Sequence, residues 1–176
     1  GGTILVDAPE SAPIRARLEA RGVQLTQICM THEHHDHIGG LAELKKLYGA
    51  EVIAPHGSRV PHTDRFVNGG DALEIAGLRV EVLWTPGHIA AHAAFYLPEA
   101  AAVFTGDALF GAGCGRLFGN PPELLFASLQ KIAALPDDTR VYFGHESTET
   151  NLRFALSLEP NNAAIRERIA SQRIPS

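Results

Sequence analysis

The chain has 176 residues, 45 % of them hydrophobic, and a formal net charge of −5 at pH 7. That length supports one domain with a core of its own and argues against two. The acidic balance argues against a nucleic-acid partner, and no apolar run approaches the roughly 20 residues that a membrane-spanning helix needs. The start, Gly1-Gly2 with no initiator Met, reads as trimmed. Two cysteines, Cys29 and Cys114, make a disulfide framework unfitting and suit a reducing, cytoplasmic setting. Packing is the expected role of Cys29 in its apolar strand, and a structural role is expected for Cys114 in its glycine-rich loop.

Along the chain, residues 3–7 predict a strand. Ser11 is placed to cap a helix running to Arg21, with Pro13 in its first turn and Gly22 as its stop. Residues 24–30 predict a second strand. Leu41, Leu44, Leu47 and Tyr48 form one face of a short helix over 41–48, ended by Gly49, and a short strand follows over 51–54. Residues 55–70 are polar and without periodicity, which predicts loop. Strand pairs are expected over 72–76 with 78–84, and over 92–97 with 101–105. Pro121-Pro122-Glu123 opens a helix through Leu135, residues 139–143 predict another strand, and two helices over 148–158 and 161–173 close the chain. Helices alternating with strands, with adjacent strand pairs in the middle, predict an α/β (α+β) fold of sheets flanked by helices in a single domain over 1–176.

Four phrases carry the chemistry. His32-Glu33-His34-His35-Asp36-His37 packs four histidines and two carboxylates directly behind an apolar strand. Thr85-Pro86-Gly87-His88, Gly106-Asp107 and Gly144-His145 repeat the same grammar: a strand, a small residue or turn, then one side chain able to bind a metal. In sheets flanked by helices, ligands gather where strands end. His32 and His34 are two apart, so an extended segment points both the same way, whereas Asp36 and His37 follow after the chain has turned. The inventory is His32, His34, Asp36, His37, His88, Asp107 and His145. One catalytic metal needs about three protein ligands and an open position, so seven are too many for one. Two metals sharing a carboxylate account for all of them, with Asp107 as the natural bridge. Two metals roughly 3.5–4 Å apart can hold a hydroxide formed near pH 7 and polarise a carbonyl, which makes hydrolysis the first reaction class to consider, with Asp36 and Asp107 as catalytic carboxylates. Glu33, His35, His56 and His62 are expected to be non-ligands, and His92 a structural hydrogen-bonding residue.

The phrases T-H-x-H-x-D-H, T-P-G-H, F-T-G-D and G-H-E resemble the metallo-β-lactamase superfamily. Longer stretches resemble glyoxalase II, the hydroxyacylglutathione hydrolases: Phe104 to Phe110, Gly113-Cys114-Gly115-Arg116, Leu135 to Tyr142, Gly144-His145-Glu146, Asn151 to Ala155 and Glu159-Pro160. The resemblance implies an αββα sandwich, short of some N-terminal strand and of the C-terminal substrate-binding segment. It also implies two divalent metal ions, zinc or mixed with iron or manganese: one on His32, His34 and His88, the other on Asp36, His37 and His145, with Asp107 between. The implied substrate is a small-molecule thioester, S-D-lactoylglutathione, cleaved to D-lactate and glutathione by a metal-bound hydroxide. Arg116 and Phe118 fall at substrate-binding positions. Phe118 and Ser147 stand where the family commonly has Tyr, which puts glutathione recognition in question. Rival readings are a persulfide dioxygenase with one iron, a broader thioesterase or lactonase, and a metal-binding fragment without turnover.

Overall fold

The computed structural model describes residues 2–171. In chain order it contains β1 (Thr3–Val6), α1 (Ser11–Arg21), β2 (Leu25–Cys29), α2 (His35–Ile38), α3 (Leu41–Tyr48), β3 (Glu51–Pro55), β4 (Arg65–Val67), β5 (Ala72–Ile75), β6 (Leu78–Trp84), β7 (Ala93–Leu97), β8 (Ala102–Gly106), α4 (Pro122–Ala133), β9 (Arg140–Phe143), α5 (Thr148–Leu158) and α6 (Ala163–Ser171). A 3-10 turn, Pro98–Ala100, joins β7 to β8.

Two sheets form. The first is parallel, in the order β1-β2-β3-β4; the second runs β5-β6-β7-β8-β9, antiparallel except for the last pair. Successive strand residues face opposite ways, and here both faces are buried. From β2 and β3, Cys29 and Ile53 point between the sheets, where they meet Val80 and Val82 of β6 and Ala93 and Phe95 of β7. Their sequence neighbours Ile28, Val52 and Ala54 point the other way, onto Leu18 of α1 and Leu41 and Leu44 of α3. On the far side, Ala94, Tyr96 and Val103 pack near Leu135, and α4 brings Leu125 and Ile132 against Ala108. The result is an α/β/β/α sandwich. Burial pushes the Cys29 thiol up to about 12, assisted by the charges of Asp7 and Glu51, so it packs as an inert apolar group.

Three expectations need correction. Ser11 is not the cap of α1: Glu10 holds that position, and the Ser11 hydroxyl donates to the Glu43 carboxylate. The histidine cluster contains one helical turn, α2, secured by the Ala8 amide donating to the His37 carbonyl at 2.7 Å. The predicted loop over 55–70 holds β4, which pairs with β3 and buries Val67 completely. A three-residue strand is too short to show periodicity. Cys114 is exposed. Among the described residues no helix is long and apolar enough to cross a membrane.

Leu44 and Leu47 lie on one helix with opposite fates, 0 % and 51 % exposed. Leu44→Ala is expected to cost about 2–5 kcal/mol in urea unfolding, and Leu47→Ala no more than about 0.5 kcal/mol.

Candidate metal centre

The site lies where β1, β2, β6, β8 and β9 end, at one edge of both sheets. The two sheets are tied there directly: the Ala93 amide, at the start of β7, donates to the Thr31 carbonyl, just past β2, at 3.0 Å. His32 and His34 follow β2, His88 follows β6, Asp107 follows β8 and His145 follows β9.

The predicted ligands form two groups, His32 with His34 and His88, and Asp36 with His37 and His145, each with its ligand atoms within 4.8 Å of one another. In the first, His34 Nδ1 lies 3.2 Å from His32 Nε2 and 2.9 Å from His88 Nε2. Nitrogens around a tetrahedral zinc at about 2.0–2.1 Å stand roughly 3.3 Å apart, so this spacing suits an ion. In the second, Asp36 Oδ2 lies 3.0 Å from His145 Nε2 and 3.9 Å from His37 Nε2. Asp107 stands between the groups, its Oδ2 3.5 Å from both His88 Nε2 and His145 Nε2 and its Oδ1 3.2 Å from His37 Nε2.

Hydrogen bonds outside the cluster decide which nitrogens face inward. Thr31 Oγ1 donates to Asp7 Oδ2 at 2.8 Å, so it accepts the Nδ1 proton of His32 at 2.9 Å. His37 Nδ1–H donates to Asp7 Oδ2 at 2.7 Å, and His88 Nδ1–H to the Arg116 carbonyl at 2.8 Å. Each leaves Nε2 directed at the site, which is how metal-ligating histidines are usually oriented. His32 and His88 thus offer two lone pairs to His34 Nδ1, which has at most one proton to give; a cation satisfies all three. The buried atoms His37 Nε2 and Asp107 Oδ1 face each other at 3.2 Å and have no other hydrogen-bond partner among the described residues, a second sign that the donor set fits a cation.

Burial, with the neighbouring imidazoles, drives the His32 pKa far down, and burial lowers that of His88, keeping both neutral and able to ligate. His37 behaves oppositely. Burial disfavours its charge, but Asp107 and Asp7 prevail and push it up to about 10. Burial likewise opposes ionisation of Asp107, yet His37 and the surrounding imidazoles hold its carboxyl below the usual carboxylate range.

Two glycines are required by close approach. A Cβ on Gly144 would stand 2.5 Å from Asp107 Oδ1, and one on Gly115 would stand 2.2 Å from the Asp107 carbonyl and 2.6 Å from His88 Nδ1. The loop after β8 is therefore wrapped tightly over His88. The exposed Phe118 ring presents an edge-on contact to both His34 and His88, with centroids 5.0 and 5.2 Å apart. A cavity of about 630 Å³ opens over Asp36, Asp107 and His145, with Arg116, Phe118 and Ser147 in its wall. His56 and His62 belong to neither group; Glu33 accepts from the Arg59 amide, and His35 is exposed.

The family comparison agrees with this architecture. Residues 1–145 match the model of the metallo-beta-lactamase superfamily. The chain belongs to that superfamily. Within it, the chain is 51 % identical over 172 residues to a hydroxyacylglutathione hydrolase of Ruegeria pomeroyi, covering 97 % of this chain and 68 % of that protein. To the protein of the same name from Brucella anthropi it is 50 % identical over 170 residues, covering 96 % and 65 %. The superfamily chain thus spans about two thirds of the length of these curated relatives. Among solved structures it resembles the BLEG-1 B3 metallo-beta-lactamase, with a TM-score of 0.75 at 26 % identity over 82 % of this chain and 81 % of that one. It also resembles TTHA1623 in a di-iron-bound form, with a TM-score of 0.69 at 33 % identity over 80 % of each chain.

Asp7 and Thr31 are the functional residues that sequence reasoning missed. Asp7 ends β1 as the other site residues end their strands, but a lone acid after a strand is an ordinary turn residue until His37 is folded against it. Its carboxylate also accepts the Thr31 amide at 2.8 Å. Asp7→Ala is expected to weaken cation binding about 10–100-fold in chelator competition, because His37 loses its orienting partner. The unpaired Thr31 amide should also cost about 1–3 kcal/mol in metal-free unfolding.

Proposed function

We propose that the chain is a single hydrolase domain holding two divalent cations, and that it cleaves a glutathione thioester, S-D-lactoylglutathione, to D-lactate and glutathione. The observation that carries this reading is the pair of three-residue groups with the Asp107 carboxylate 3.5 Å from a nitrogen of each. The names and identity of the relatives support the substrate class. His32, His34 and His88 would hold one cation, Asp36, His37 and His145 the other, and Asp107 would serve both. A donor set of five imidazoles and two carboxylates suits zinc, and is compatible with iron or manganese. Bound there, such cations supply Lewis acidity toward a carbonyl oxygen and lower the pKa of water toward about 7.

The chain's own residues do the rest. Asp7, Thr31 and the Arg116 carbonyl hold three imidazoles in one tautomer, so the ligand atoms are placed before substrate arrives. His32 and His88 are buried, whereas Asp36 and His145 are exposed at the cavity mouth, the side from which the thioester would reach the site. Phe118 shields His34 and His88 from water, and the Arg116 guanidinium offers a charge for a substrate carboxylate. In the overall reaction water adds hydroxyl to the acyl carbon, the C–S bond breaks, and sulfur leaves as a thiolate that takes up the proton. A thiol pKa near 8.5 lets that group leave without a dedicated acid, and no side chain need supply one. The unpaired thiols Cys29 and Cys114 support a reducing, cytoplasmic setting. The second three-residue group favours this reading over a dioxygenase with one iron, which would leave Asp36, His37 and His145 without a shared task.

Elemental analysis of purified protein should find two divalent ions per chain, together with thiol release from S-D-lactoylglutathione. One iron per chain with oxygen consumption would overturn the reading. Asp107→Ala should lose at least one ion and at least about a hundredfold in kcat/KM, the scale of removing one preorganised electrostatic group.

A further inference from the structure

His92 lies fully buried beneath the cluster, its ring centroid 5.0 Å from that of His32, and belongs to neither ligand group. Both of its nitrogens are engaged. The Asp107 main-chain N–H points at Nε2 at 3.3 Å. An amide nitrogen can only donate, so Nε2 carries a lone pair, and the one proton of the neutral ring is on Nδ1. There it donates to Thr85 Oγ1 at 2.8 Å. The Thr85 amide in turn donates to the His92 carbonyl at 3.0 Å, closing the base of the loop that carries His88. One imidazole therefore ties the loop presenting a ligand of the first group to the main chain presenting the carboxylate between the groups.

We propose that His92 is a positioning residue: its Nδ1–H tautomer, anchored at Thr85, leaves Nε2 to accept the Asp107 amide and so holds the Asp107 main chain with its carboxylate between the two ligand groups. The inference rests on the reading of Asp107 as a carboxylate shared by two cations. A side chain of similar volume with no acceptor would leave a buried N–H unpaired at the end of β8, where a small rotation moves both carboxylate oxygens.

Two measurements test this. In metal-free protein, long-range ¹⁵N–¹H NMR should show His92 protonated at Nδ1 and bare at Nε2; the opposite tautomer or an imidazolium overturns the proposal. In zinc-loaded protein, His92→Leu should lose cations to a chelator about 10–100-fold more readily and lower kcat with little change in KM. His92→Gln, whose Oε1 can accept near the former Nε2, should recover most of that loss. Wild-type retention in His92→Leu, or a His92→Gln variant no better than His92→Leu, overturns it. If His92→Leu does not fold, Thr85→Val decides: with Nδ1–H left without its acceptor the ring loses its anchor, so cations should be lost in the same direction, and unchanged retention overturns the proposal. A wild-type protein holding fewer than two cations would sink the functional reading instead, while the NMR result would still decide the contact between His92 and Asp107.

Discussion

Everything at this site depends on crowding lone pairs around the Asp107 carboxylate. Imidazole nitrogens and carboxylate oxygens packed at 2.9–3.9 Å, several of them buried, have more lone pairs to satisfy than protons to share. Such an arrangement is unfavourable unless a cation resides in it. The protein enforces it by drawing protons outward. His32 gives its Nδ1 proton to Thr31, His37 to Asp7, His88 to the Arg116 carbonyl and His92 to Thr85. Four acceptors on four different segments thereby fix four rings: Nε2 of His32, His37 and His88 faces the site, and Nε2 of His92 accepts the Asp107 amide.

The sandwich supplies those acceptors because strands from both sheets end at one edge. Asp7 comes from β1, Thr31 from β2, Thr85 from β6, and Arg116 from the loop after β8. That loop is held from outside as well: Asn151 Nδ2 in α5 donates to the Gly111 carbonyl at 3.0 Å, and the loop's Gly115 amide donates to the Asp107 carbonyl at 3.0 Å. The glycine-rich composition follows from this threading, since a side chain at Gly115 would collide with His88. The helix α5 thus acts on His88 through a backbone loop, without touching it.

The two ligand groups differ in environment, and that difference shapes what the site can do. His32 and His88 are 0 % and 3 % exposed, whereas the side chains of Asp36 and His145 are 58 % and 43 % exposed. The Phe118 ring covers one side of the first group, and both groups reach the cavity, His34 and His88 from one, Asp36 and His145 from the other. On the proposed function, recognition of the substrate would fall to Arg116, Phe118 and Ser147 in the cavity wall. One hydroxyl and one guanidinium among them give fewer polar handles than the tyrosine-bearing pattern that the longer sequence phrases resemble.

The sequence by itself determined most of the element order, the seven candidate ligands and the family, because metal chemistry demands particular side chains at strand ends and hydrophobic periodicity marks the longer strands and helices. It left β4 unseen, since three residues carry no period, and it left α2 unseen, since that turn is held by a backbone bond from Ala8. Asp7, Thr31 and the task of His92 were decided only by the tertiary structure. A lone Asp, Thr or His is chemically ordinary at each of those positions. It acquires a role when folding brings the end of another strand within hydrogen-bond reach, a relation between residues about 15 to 30 positions apart that no local pattern records.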